Sequence, residues 1–160
     1  MELENRIELL ETRNALLDLI SSYAQGFDNQ DPELLRATFR EDAALDLGEA
    51  WGRHEGIDAI LGAADSFWTA APHMHHWMAN PLLEIDLEAG TASAWTALNC
   101  LCTYLETGTA HIGGRYHDTF RRTDGRWWIT ERVFDLQFYV PLSEWTPTMG
   151  TEATTAATGA

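Results

Sequence analysis

Between Leu3 and Phe27 apolar residues recur at helical spacing. Leu9, Leu16, Ile20, Tyr23 and Phe27 form a stripe with Leu10 and Leu17 beside it, and Glu4, Glu8, Glu11 and Arg13 fill much of the remaining surface. One long amphipathic helix is predicted there. Asp31-Pro32 opens a second helix, with Asp31 as cap and Pro32 at the first helical position, running through Leu34, Leu35 and Phe39. A short strand is expected at Ala43–Leu47 and a third helix from Gly56 to Trp68. From His73 onward the pattern changes to strands, at His73–Leu87, Thr91–Leu105, Thr109–Arg122 and Arg126–Val140. Between them lie Glu88-Ala89-Gly90, Glu106-Thr107-Gly108 and Thr123-Asp124-Gly125, all hairpin signals. Helices first and a long antiparallel meander afterwards is an α+β layout. Strands of this length have to curl, at bulges, and so enclose a pocket against the helices. The Thr/Ala/Gly-rich stretch 146–160 is expected to be a disordered tail, which leaves one domain over residues 1–145.

Composition narrows the function classes. A chain of 160 residues with 45% hydrophobic content suits a single globular core. Its formal charge of −15 argues against nucleic acid or an anionic membrane as partner, since both need a basic footprint. A neutral, apolar small molecule fits better. No signal peptide or membrane-spanning run is read, and no internal repeat. Cys100 and Cys102, two apart in a strand, face the same way, so a disulfide is implausible and buried reduced thiols in a cytoplasm are expected.

The most informative chemistry lies in His73-Met74-His75-His76-Trp77-Met78-Ala79-Asn80. Strand alternation puts Met74, His76 and Met78 on one side and His73, His75 and Trp77 on the other. A histidine flanked by two methionines points into an apolar interior, where it needs a polar partner. Asp28, at the end of the first helix, is the candidate. Ile20, Ala24 and Asp28 form one i, i+4 row, which would carry the carboxylate along the core-facing side. The competing reading is a solvated acid in the turn Asp28-Asn29-Gln30-Asp31. Paired, the two residues make a general base with its orienting carboxylate.

The order of elements, with five short motifs, resembles the SnoaL-like branch of the nuclear-transport-factor-2-like (NTF2-like) superfamily over Ile7 to Pro141. The motifs are Tyr23-x-x-x-x-Asp28; Leu35-x-x-x-Phe39-x-x-Asp42-Ala43; Gly52-Arg53-x-x-Gly56-Ile57; His75-His76-x-x-x-Asn80-Pro81; and Gly114-x-Tyr116-x-Asp118-x-x-x-Arg122-x-Asp124-Gly125-x-Trp127. Gly113-Gly114-x-Tyr116 and the exit Tyr139-Val140-Pro141-Leu142 add to the likeness. The resemblance implies a cone-shaped α+β barrel, N-terminal helices packed on a strongly curved, mainly antiparallel sheet around a pocket. It is greatest to the group holding scytalone dehydratase, bile-acid 7α-dehydratase and hexachlorocyclohexane dehydrochlorinase, which eliminate with a His–Asp dyad and without metal or organic cofactor. That implies His76 as base and Asp28 as its partner. It also implies auxiliary roles for Arg132 on the last strand and Tyr23 on the first helix. A second catalytic histidine, present in scytalone dehydratase, has no clear match in His111 or His117. The superfamily includes cyclases, isomerases and non-catalytic dioxygenase β-subunits, so fold does not fix reaction.

Several residues keep a plainer reading. Trp127, Ile129, Glu131 and Val133 are the more apolar set of the last strand, so simple alternation puts Arg132 on the opposite side from the core. A bulge would restore it; a surface ion pair with Glu131 or another acid is the other reading. Tyr23 is either a hydrogen-bond donor or a core tyrosine. Tyr116, Asp118 and Phe120 share a face, with Asp118 read as a structural partner for Arg122 or Arg132 rather than a second pocket carboxylate. His73 and His75 have chelating spacing but no obvious third ligand, and no metal is expected. Phe27, Trp51, Met78, Tyr116 and Phe134 are the expected substrate contacts. The reading is a cofactor-independent lyase acting on a hydrophobic cyclic molecule. An isomerase or cyclase using the same proton abstraction, or a dioxygenase β-subunit, are the alternatives. The outer face of such a sheet needs covering, so a homotrimer or homodimer is expected.

Overall fold

The computed structural model of the chain describes residues 2–142. Helix α1 (Leu3–Asp28) is followed by α2 (Pro32–Thr38), strands β1 (Phe39–Asp46) and β2 (Arg53–Glu55), helix α3 (Ile57–Ala70), and four long strands. These are β3 (His73–Asp86), β4 (Thr91–Tyr104), β5 (Gly108–Thr123) and β6 (Arg126–Pro141). The six strands form one open sheet in the order β2-β1-β6-β5-β4-β3, antiparallel except where β1 runs beside β6. Helix α1 packs against β3 and β6, α2 folds back on α1, and α3 packs on β1. This is the expected α+β cone, three helices on one face of a curved sheet.

The local signals account for most boundaries. Asp31 caps α2, accepting from the Leu34 N–H at 2.9 Å. That helix stops at Thr38, and Phe39 begins β1 with its side chain buried, so the expected run through Phe39 was one residue too long. Strand β2 was not anticipated: it has three residues, and its pairing to β1 rather than its composition makes it a strand. The core gathers the α1 stripe (Leu16, Ile20, Tyr23, Phe27) with Leu35, Phe39, Leu45, Ile60, Phe120 and Ile129. The expected tail 146–160, and the end of the expected domain at residue 145, lie outside the described residues.

Three bulges bend the long strands. In β3, Asn80 and Pro81 together face the single Thr96 of β4, and Asn80 takes φ 53°. Proline fits there because β3 is an edge strand. In β6, Thr130 is the extra residue opposite Thr119/Phe120, and Gln137 is the extra one opposite Gly113/Gly114. At the second of these, β5 and β6 approach too closely for side chains. A Cβ on Gly114 would meet the Asp135 carbonyl oxygen at 2.3 Å and the Phe134 ring at 2.7 Å.

Two neighbouring glycines should therefore respond differently to alanine. Gly114→Ala meets backbone and should cost about 1–3 kcal/mol in a urea melt, the range of an overpacked core. Gly113→Ala meets only the Phe138 ring, which is 40% exposed and free to swing out. Its cost should be clearly smaller, and equal losses would show that the strand approach does not set the requirement.

Candidate active site

The last residue of α1 and the middle of β3 meet through one carboxylate. Asp28 Oδ1 accepts from His76 Nδ1 at 2.5 Å, and Oδ2 accepts from the His76 backbone N–H at 2.9 Å. A carboxylate only accepts, so Nδ1 carries a proton, and the neutral tautomer fixed in this way has its lone pair on Nε2. The Asp28 side chain is 11% exposed and that of His76 7%, which places the pair in the interior. His75 points away, 59% exposed and 3.9 Å from Asp28 Oδ2, its ring edge-on to Trp77.

His76 opens into a small cavity between the helices and the sheet. Its walls are aromatic and apolar: Tyr23, Phe27, Trp51, Phe67, Tyr116 and Phe134 contribute rings, Leu47, Leu98 and Ile112 the aliphatic surface. Phe27 sits at the centre of the helical side, its ring 4.8 Å from Tyr23 and 6.1 Å from His76 by centroids. Its carbonyl accepts from Trp68 Nε1–H at 2.9 Å, which ties α3 to the end of α1. Trp51 is brought in by the loop between β1 and β2, pinned by Leu47 N–H donating to the Gly52 carbonyl. A lining of this kind suits a small, largely apolar ligand.

The polar groups of the wall are few. The hydroxyls of Tyr23 and Tyr116 lie 3.2 Å apart. Burial pushes the Tyr23 phenol up to about 12 and Tyr116 well above its ordinary value, with Arg132 opposing in both cases, so both are neutral donors. Cys100 and Cys102 also reach the cavity, as the cross-strand partners of His76 and Met74. They are free thiols; burial pushes Cys100 far up and Cys102 to about 11.

Arg132 is fully buried, the bulge at Thr130 having reversed the alternation of β6. Its Nε and Nη2 donate to the two oxygens of Asp118 at 2.6 and 2.7 Å. Its guanidinium carbon lies 4.0 Å from the Tyr23 ring centroid and 4.6 Å from that of Tyr116. Burial works against the charge, but the Asp118 carboxylate outweighs it and holds Arg132 above its usual range. The surface pair with Glu131 is not formed, since Glu131 binds Arg53 at 2.9 Å.

Of the residues singled out in the sequence, His76, Tyr23, Phe27, Trp51, Tyr116 and Phe134 line the cavity, and Asp28 stands behind His76. Two differ. Arg132 backs the tyrosines instead of lining the wall. Met78 shares the inward face of β3 but packs against the core, while its cross-strand partner Leu98 reaches the cavity. Alternation fixes a face, not a depth, and two residues carry a strand about 7 Å further on. The cysteines, Tyr104 and Phe67 were missed as wall residues. Counting register back from the hairpin without the Asn80-Pro81 bulge does not find Cys100, and nothing in the sequence marked Tyr104 or Phe67. Among the described residues no three His, Cys, Asp or Glu side chains gather as a metal site.

The SnoaL-like domain profile matches residues 8–133. The chain belongs to this SnoaL-like family. No curated protein matches it by sequence. Among solved structures, a type 2 hexachlorocyclohexane dehydrochlorinase (LinA) superposes with TM-score 0.85 at 22% identity, over 91% of this chain and 99% of the other. A type 3 LinA from Novosphingobium barchaimii LL02 gives 0.82 at 22%, over 89% and 99%. A protein provisionally assigned as a scytalone dehydratase, from Novosphingobium aromaticivorans, gives 0.75 at 22%, over 86% and 91%. At these identities the likeness shows a shared fold. The chain is thus a SnoaL-like domain of NTF2-like architecture, from a family of small-molecule-binding proteins.

The thiols give this SnoaL-like cavity a direct test. With Cys102 near 11 and Cys100 higher still, roughly one thiol in a thousand or fewer ionises at about pH 8. Ellman's reagent should leave both unmodified in the native protein and titrate both after unfolding. Rapid native labelling would mean the cavity is wetter than its walls indicate.

Proposed function

We propose that this SnoaL-like protein is a cofactor-independent lyase that eliminates water, or a comparable leaving group, from a hydrophobic cyclic molecule. The observation that carries the reading is the two-point grip of Asp28 on His76, which leaves Nε2 as the basic atom facing an apolar cavity. In this reading Nε2 removes a proton from carbon next to an activating group, and Asp28 stabilises the imidazolium that forms. The imidazolium then returns the proton to a departing hydroxyl on the same face. Tyr23 donates a hydrogen bond to the oxygen that gains charge. Elimination of this kind moves one proton and one leaving group with no change of oxidation state, so the side chains named are sufficient for it. Isomerisation begins with the same abstraction and differs in where the proton is returned. A stable partnership with a larger iron–sulfur subunit would instead favour a dioxygenase β-subunit.

The setting is proposed on separate grounds. No described helix is long and apolar enough to cross a membrane, and the two free thiols suit a reducing cytoplasm. The outer face of the sheet exposes Trp77 (48%) and Trp95 (44%), with Arg115 stacked 5.0 Å from the Trp95 ring. Two half-exposed tryptophans on neighbouring strands suit a homo-oligomer contact.

His76→Ala should lower turnover by about 10³-fold or more, and Asp28→Asn by a similar factor through loss of the correct tautomer, with thermal unfolding little changed. Either variant keeping full activity on a substrate turned over by the parent would end the dyad reading. Sedimentation should show an oligomer that Trp95→Glu dissociates; a monomeric parent chain would remove the self-association proposal and leave the chemistry untouched.

A further inference from the structure

Arg132 is placed where a leaving group does not reach it. It is stacked on Tyr23 and Tyr116, which line the cavity, and does not line it itself. As a purely structural element the pair it makes with Asp118 would be a poor choice. Both side chains are 0% exposed, and burying two ions loses hydration that an apolar pair of similar volume does not. A second cost is present as well: Arg132 Nη1 is buried and has no acceptor among the described residues. These features have a common explanation in what the cation lies against.

We propose that the Asp118–Arg132 pair is a positioning device, which fixes the Tyr23 and Tyr116 rings and sets a cation behind them so that their hydroxyls act as one donor pair. The proposal rests on the elimination reading above and specifies its substrate as an enolisable carbonyl compound. With the hydroxyls 3.2 Å apart, one phenol donates to the other, and the second remains free to donate into the cavity. Hydrogen bonds in such a chain polarise one another. A guanidinium against both ring faces draws electron density from the rings and strengthens their O–H groups as donors. Asp118 binds the side of the guanidinium made by Nε and Nη2, which holds the planar group against rotation while it stacks.

His76 Nε2 takes the proton α to the carbonyl, the C–H electron pair becomes the enolate double bond, and negative charge develops on the carbonyl oxygen. The tyrosine pair holds that oxygen without losing a proton. When the enolate collapses, the β-carbon–oxygen bond breaks, the His76 imidazolium protonates the departing hydroxide, and enone and water are formed. A halogenated hydrocarbon has no such oxygen, and the donor pair would have nothing to bind. The pair therefore favours a cyclic β-hydroxy ketone over an alkyl halide.

The test removes both charges together, because removing either alone strands a buried ion and endangers folding. Asp118→Leu/Arg132→Met is built in a His76→Ala background, where the base has been deleted. The probe is 4-nitrophenol, a flat ring whose phenolate is coloured and mimics the enolate. Bound to the His76→Ala protein, it should be enriched in phenolate relative to the same pH in free solution. The charge-free variant, checked for a cooperative melt, should lower that enrichment by roughly tenfold, less than deleting a direct donor would. Tyr116→Phe in the same background keeps the ring and should lower it too, which covers the case of a double variant that does not fold. A folded charge-free variant, or Tyr116→Phe, that binds the phenolate as well as its parent overturns the proposal. Full turnover by His76→Ala would defeat the elimination reading instead, and the probe measurement does not depend on it.

Discussion

The rest of the architecture is organised around one carboxylate. Strand β3 is an edge, so among the described residues the amides on its free side have no neighbouring strand. Asp28 supplies an acceptor to one of them, at His76, and with its other oxygen fixes the imidazole. A single side chain thereby joins the end of the longest helix to the edge of the sheet and chooses the tautomer. The position is electrostatically adverse in itself. An acid at a helix C-terminus meets the negative end of the helix dipole, and α1 has no basic residue in its last turn. The two N–H donors of His76 offset that cost.

The sheet makes the cavity by breaking its own regularity. Each of the three bulges in the long strands bends the sheet and also reassigns side chains. At Thr130 the shift turns Arg132 inward to meet Asp118, while Ile129 and Trp127 before it stay buried. At Asn80-Pro81 it changes which residue of β4 lies beside His76. Counting back from the closing pair Asp86–Thr91 without a bulge would put Leu101 opposite His76; the observed partner is Cys100, on the cavity side. Curvature and wall composition are therefore set by the same few residues.

This is also where the sequence could and could not be read. Helical periodicity, the Asp31-Pro32 cap and the glycine turns located three helices and four long strands to within a residue or two, because each is a local signal. The facing of His76 between Met74 and Met78 was legible for the same reason. Its pairing with Asp28 spans 48 positions and was reached by combining helix phase with family resemblance. Arg132 shows the limit. Its alternation pointed outward, and only a bulge, which no residue type announces, brings it in. Met78 shows another: a strand pattern carries no information on how far along the strand a cavity extends. Strand β2 is held by its neighbour and has almost no signature of its own.

Charge is distributed in a way that bears on what the cavity admits. The chain carries a formal −15, yet among the described residues the cavity wall contributes no carboxylate, lysine or arginine. The two buried acids beside it, Asp28 and Asp118, each spend both oxygens on a partner, and the buried cation is turned toward aromatic faces. What remains facing the ligand is one imidazole nitrogen, phenol hydroxyls, thiols and apolar surface. Such a wall offers no charged side chain to pair with a ligand that arrives already ionised, and desolvating one inside it would be costly. A neutral ring enters without that cost, and in the proposed elimination charge would appear only as the reaction creates it, beside groups already fixed to receive it.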